Sequence, residues 1–128
     1  MNNVFDSSSQ KKKILCVEDH EDTCELIAFI LSDYEVVFTE SIENSLNLFS
    51  KVDFDLCILD NWLIDGLGTD LCSQIKSIKP EIPVIFASGV AQKDEIQKAL
   101  DSGAKAYLVK PYPPDELQKI VNQLIEKG

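Results

Sequence analysis

Short apolar runs alternate with amphipathic stripes along this chain. Ile14-Leu15-Cys16-Val17 is a continuous apolar run, the pattern of a parallel strand buried on both faces. Cys24, Ile27, Ala28 and Leu31 follow at helical spacing. Val36-Val37-Phe38 predicts a second strand, and Ile42, Leu46 and Phe49 a second helix. Leu56-Cys57-Ile58-Leu59 predicts a third strand, and Leu71, Ile75 and Ile78 a helix stopped by Pro80. Val84-Ile85-Phe86-Ala87 predicts a fourth strand, with Pro83 tolerable near its start. Ile96, Ala99 and Leu100 form the next stripe, closed by Gly103 as a left-handed cap. Tyr107-Leu108-Val109 is the fifth strand. Leu117, Ile120, Val121 and Leu124 mark the last helix, with Pro114 suited to its first position.

Strands and helices in strict alternation predict an α/β fold. The natural choice at this size is a flavodoxin-like, doubly wound, five-stranded parallel sheet in the order 2-1-3-4-5, with helices on both faces. Residues 1–11 read as a flexible polar tail, and residues 12–128 as one domain. Neither a repeat nor a second domain is visible.

Charge narrows the function classes. The 128 residues carry 22 acids against 12 bases, a net charge of −10, and every base is Lys. Such a chain repels phosphate backbones, which excludes nucleic acid as a partner of this domain. No apolar run reaches the roughly 20 residues needed to cross a bilayer. The N-terminus lacks the apolar core of a secretory signal, so a cytoplasmic location is expected, with no membrane partner. Cys16, Cys24, Cys57 and Cys72 all fall in apolar stretches and read as small buried thiols. Without a Cys-x-x-Cys pair, and with His20 the only histidine, zinc is not expected.

The predicted strand ends hold the chemistry. Glu18-Asp19 closes the first, Asp60 the third, Ser88-Gly89 the fourth and Lys110-Pro111 the fifth. In a doubly wound sheet, ligands bind at these carboxyl ends, beside the switch between strands 1 and 3. Three carboxylates brought together there repel one another and raise each other's pKa values. A hard divalent cation such as Mg²⁺ relieves that repulsion through oxygen ligands. A carboxylate can also act as a nucleophile and carry a phosphoryl group as an acyl phosphate. A metal and a Lys would neutralise the oxygens of that group, and a Ser hydroxyl would donate to it. Each residue alone is ordinary: Asp19 as a helix cap, Ser88 as a turn residue, Lys110 as a surface lysine, His20 as a surface residue opening the first helix. Their joint placement argues for a site.

These residues resemble a response-regulator receiver domain of the CheY-like family, over about Lys12 to Lys127. The acid pair Glu18-Asp19, Asp60 followed by Leu63, Asp65, Gly66 and Gly68, Ser88, and the segment Gly103-Ala104 then Tyr107-Leu108-Val109-Lys110-Pro111 all match in order. The resemblance implies that Asp60 accepts a phosphoryl group from a sensor histidine kinase or a histidine phosphotransfer protein. It implies Mg²⁺ held by Glu18, Asp19, Asp60 and the backbone carbonyl of Trp62. Lys110 and Ser88 would contact the phosphoryl group, Ser88 turning toward it after transfer. Tyr107 would be the aromatic switch, rotating inward as Ser88 moves. A cis peptide is expected before Pro111. The output face would be the fourth helix, fifth strand and fifth helix, docking a downstream protein, with room left for a homodimer. Autophosphorylation and slow self-dephosphorylation are the only catalysis implied, so this is not an enzyme with an external substrate.

Some positions depart from the family pattern. Glu18 stands where Asp is commoner, and its extra methylene points to a metal contact through water. Ile64 stands where Pro is frequent, which puts the loop after Asp60 in question. Pro113 replaces the usual cap of the last helix. Trp62 reads as an exposed loop aromatic, or as an indole that shields the phosphoryl site and lengthens its lifetime. Val90 would complete the same apolar rim.

Other functions fit less well. A receiver-like interaction module that works without phosphorylation typically loses the acceptor Asp, the Lys or an acid, and this chain retains them. A flavodoxin-like electron carrier needs a phosphate loop where this chain has Glu18-Asp19-His20-Glu21-Asp22. A phosphatase of the haloacid dehalogenase type needs a second Asp where this chain has Trp62.

Overall fold

The apolar runs become strands in a computed structural model that describes residues 11–127. Except for Lys11, the expected polar tail lies outside the described residues. The strands are β1 (Lys13–Val17), β2 (Glu35–Thr39), β3 (Leu56–Leu59), β4 (Trp62–Leu63), β5 (Gly66–Leu67), β6 (Val84–Ser88) and β7 (Ala106–Val109). The helices are α1 (Glu21–Ile30), α2 (Ile42–Phe49), α3 (Gly68–Ile78), α4 (Lys93–Asp101) and α5 (Pro114–Lys127). Five strands form one parallel sheet in the order β2-β1-β3-β6-β7. This is the predicted 2-1-3-4-5 order.

Alternation along the strands splits the core into two layers. Leu15, Val17, Cys57, Leu59, Val84 and Phe86 face one side and meet Phe49, Leu71, Ile75 and Ala99 of α2, α3 and α4. Ile14, Cys16, Leu56, Ile58, Ile85 and Leu108 face the other and meet Ile27, Leu31, Leu117 and Val121 from the α1 and α5 side. Cys16, Cys57 and Cys72 are buried thiols, whereas Cys24 is only half-buried and lies beside the Glu18 carbonyl.

Three helical stripes differ from expectation at single positions, and in α4 the odd one is Leu100, 38% exposed. In α1 the buried arc is Ile27, Ile30 and Leu31, while Ala28 is exposed. In α3 Cys72 fills the face, and Ile78, the last residue of the helix, is 60% exposed. Gly103 ends α4 with φ +116°, a conformation open to glycine and strained for other residues.

The hairpin β4–β5 was not predicted. Its strands are two residues long and antiparallel, pairing Trp62 with Leu67 and Leu63 with Gly66. Too short for a periodic signal, it is held from outside. Asp65 at its turn accepts from the backbone N–H groups of Ile42 and Glu43, at 2.7 and 3.1 Å. Those are orphan donors at the start of α2. The loop with Ile64 in place of Pro is therefore an ordered turn tied to a helix end.

Candidate functional site

Val17, Leu59, Phe86 and Tyr107 lie in register across β1, β3, β6 and β7. Each strand then continues past that row toward the same edge. The topology thus delivers Glu18, Asp60, Ser88 and Lys110 to one crevice.

Lys110 ties it together. Its ammonium lies 2.8 Å from Glu18 Oε1 and 3.4 Å from Asp60 Oδ2. The Glu18 side chain is only 3% exposed and that of Asp60 16%, so water screens these contacts weakly. Burial pushes the Glu18 carboxyl up, but hydrogen bonds from Lys110 and His20 outweigh it and hold the group below the usual glutamate range. Burial pulls the Lys110 ammonium down, but Glu18 and Asp60 outweigh that and raise it. The Lys110–Pro111 peptide is cis.

His20 is exposed, as expected, yet it is not idle. Its Nδ1 lies 2.9 Å from Glu18 Oε2 and 3.0 Å from Asp19 Oδ1. The Glu18 hydrogen bond, then the charge of Asp19, raise its pKa and favour the donor form. Sequence reading missed this pairing, although adjacency to two acids was the available signal. Glu18, Asp19 and His20 each offer a ligand atom within 4.8 Å of the others.

Around Asp60 the backbone closes tightly. The Asn61 N–H donates to Asp60 Oδ1 at 2.7 Å, and the Gly68 N–H donates to the Asn61 carbonyl at 2.8 Å. A Cβ on Gly68 would stand 2.0 Å from the Asp60 carbonyl oxygen, so only glycine fits. Ser88 is fully buried, and its Oγ accepts from the Val90 N–H at 3.2 Å.

Tyr107 faces inward. Its ring stacks on Phe86 with centroids 5.9 Å apart, and its hydroxyl donates to the Val90 carbonyl at 2.7 Å. Asn61 Nδ2 donates to the same hydroxyl at 2.9 Å. Burial pushes the phenol pKa up, partly offset by its neighbours Ser88 and Asn61. Trp62 is 66% exposed on the hairpin, where Ile64 and Leu67 are also exposed.

Fold and crevice together define a class, and comparison with known proteins agrees. The chain belongs to the response regulator receiver domain family, whose family model matches residues 14–122. Response regulator SaeR of Staphylococcus aureus is 30% identical over 116 residues, covering 89% of this chain and 50% of SaeR. The chain thus spans about half the length of the curated relative it matches. A CheY-like receiver domain protein from Methanospirillum hungatei superposes with a TM-score of 0.86 at 26% identity, covering 92% of this chain and 96% of that one. The non-phosphorylated HemR receiver domain from Leptospira biflexa gives 0.82 at 31% identity, covering 90% and 94%. No helix among the described residues is long and apolar enough to cross a membrane.

Proposed function

We propose that Asp60 accepts a phosphoryl group from a phosphohistidine, and that the modified chain switches a protein-binding face. The observation that carries this reading is the Lys110 ammonium between Glu18 and Asp60 at one strand edge. A half-buried cation beside a carboxylate nucleophile suits a group whose transition state spreads negative charge over its oxygens.

In the transfer, an Asp60 carboxylate oxygen attacks phosphorus in line with the departing imidazole nitrogen. The O–P bond forms as the N–P bond breaks, and the electron pair stays on the donor imidazole. Lys110 is placed to hold an oxygen of the transferred group, and Ser88 to donate to another once its hydroxyl turns. Later, water attacks phosphorus, releases inorganic phosphate and restores the carboxylate. That self-dephosphorylation is the domain's only hydrolysis.

The acids fit a divalent cation. Glu18, Asp19 and Asp60 supply oxygen donors alone, the preference of Mg²⁺. The His20 ring already lodged against Glu18 and Asp19 marks their demand for a positive partner. Asp19, Asp60 and the Trp62 carbonyl would hold the ion. Glu18 would act through water, because Lys110 and His20 engage both its oxygens. When bound, the ion neutralises phosphoryl oxygens.

The donor in this reading is a sensor histidine kinase or a phosphotransfer protein in the cytoplasm. The output face is α4, β7 and α5, and Tyr107 belongs to β7. Retention of Glu18, Asp19, Asp60, Ser88 and Lys110 disfavours a module that ignores phosphorylation. The test is intact mass after incubation with Mg²⁺ and a small phosphodonor. A phosphoryl adduct on the parent chain, absent from Asp60→Asn, is expected. No adduct from small donors or histidine kinases would overturn the reading.

A further inference from the structure

Asn61 is buried, 4% exposed, and the receiver pattern assigns it no task. It joins two parts of the site through one residue. Its backbone N–H donates to Asp60 Oδ1, and its side-chain amide donates to the Tyr107 hydroxyl.

The hydrogen-bond directions are forced. The Val90 carbonyl can only accept, so the single phenolic proton of Tyr107 goes there. The phenol oxygen must then accept from Asn61, and only the NH₂ end of the amide can give. This fixes the amide orientation and leaves Asn61 Oδ1 buried, without a hydrogen-bond partner among the described residues. A buried orphan acceptor is unfavourable, and such groups persist where their surroundings over-determine them.

We propose that Asn61 is a positioning residue that latches Tyr107 inward in the unphosphorylated chain and couples it to the Asp60 carboxylate. The latch stands on resting-state geometry. Its coupling to signalling rests on the reading of Asp60 as phosphoacceptor. A phosphoryl group on Asp60 would pull on the Asn61 N–H, and the same residue carries the pull to Tyr107. In this chain, phosphorylation therefore tightens a ring already inward, and the resting output face lies close to the switched one.

The test uses the full chain with fluorotyrosine at its tyrosines and ¹⁹F NMR, the Tyr107 signal being assigned with Tyr107→Phe. In the parent chain, Mg²⁺ with beryllofluoride, a phosphoryl mimic, should move that signal little. In Asn61→Leu the resting signal should shift toward the value of an exposed tyrosine, and beryllofluoride should draw it back. An Asn61→Leu signal identical to the parent's would overturn the latch and leave the acceptor reading untouched. Failure of Asp60 to form any phosphoryl adduct would overturn the acceptor reading and leave the resting latch standing.

Two further readouts separate positioning from packing. Asn61→Leu should alter the lifetime of the phosphoryl adduct in the parent, and should have no effect in a Tyr107→Phe background. An equal effect in both backgrounds contradicts the proposal. Should Asn61→Leu not fold, the Asn61 side-chain NH₂ signals decide: slow exchange in the parent and fast exchange in Tyr107→Phe support the latch. Equal exchange overturns it.

Discussion

The Lys110 ammonium is bonded to Glu18 Oε1 at 2.8 Å, and this pair joins the carboxyl ends of β1 and β7. The strands are not neighbours, since β3 and β6 lie between them. The lysine reaches over Asp60 to do this, so the pair and the candidate nucleophile share one cation.

Removing that cation should therefore have two effects. Lys110→Met leaves the buried Glu18 carboxylate short of its main partner, at a cost of about 3 kcal/mol. It should also slow adduct formation from a small phosphodonor by about tenfold or more. Urea denaturation and intact mass measure the two separately. Unchanged stability would mean that Glu18 is served by water instead.

The same pair sets a pH window. Glu18 has a folded pKa below its unfolded one, so its contribution is present above the unfolded value. It is lost as pH falls through the folded value, below the usual glutamate range. Lys110 has a raised folded pKa, so its contribution is full below the unfolded value and is lost as pH rises through the folded value, above the usual lysine range. Glu18→Gln should lower stability at neutral pH and flatten the acid limb. Denaturant midpoints from pH 3 to 7 check this, and an acid limb as steep as the parent's would contradict it.

Gly68→Ala should damage the site without touching a charge. The added methyl would lie 2.0 Å from the Asp60 carbonyl oxygen and 3.0 Å from the Phe86 ring. The backbone must move, at about 1–3 kcal/mol by the usual range for overpacking. A lowered denaturation midpoint and altered amide shifts at Asp60 and Asn61 are expected.

Asp65→Ala should release the hairpin from α2. The Asp65 carboxyl is held below its usual range, first by the Ile42 N–H and also by that of Glu43. Without it, those two amides should exchange faster with solvent, while the core strands stay protected. Hydrogen exchange resolves both groups in one experiment.

The lifetime idea for Trp62 is open to a direct check. The indole is exposed, on the hairpin that follows Asp60. If it shields the phosphoryl group, Trp62→Asn should shorten the dephosphorylation half-life, and Val90→Asn should act the same way. An unchanged half-life in both would assign Trp62 to the surface alone.

The parallel sheet was legible because buried parallel strands read as continuous apolar runs such as Leu56-Cys57-Ile58-Leu59. The strand ends were legible for the same reason, since each run stops at a polar residue. What lay hidden depends on contacts between distant residues. The β4–β5 hairpin has no periodicity, and Asp65 stabilises it only once α2 is in place. Asn61 gave no signal in the sequence because its partner, Tyr107, is 46 residues away. Gly68 was visible as part of a loop pattern, but its need for glycine comes from the Asp60 carbonyl pressing on it. Glu18 was read as a metal residue acting through water, and what the sequence did not reveal is that Lys110 and His20 engage both its oxygens.

The claim that Asp60 is the phosphoacceptor is tested most directly by chemical trapping. An acyl phosphate is reduced by borohydride to an alcohol, which converts aspartate to homoserine. The chain would be incubated with Mg²⁺ and a small phosphodonor, quenched with borohydride, digested and sequenced by mass spectrometry. The account predicts homoserine at position 60 and at no other acid, dependent on both Mg²⁺ and donor. Intact aspartate at position 60, or homoserine only elsewhere, would contradict it.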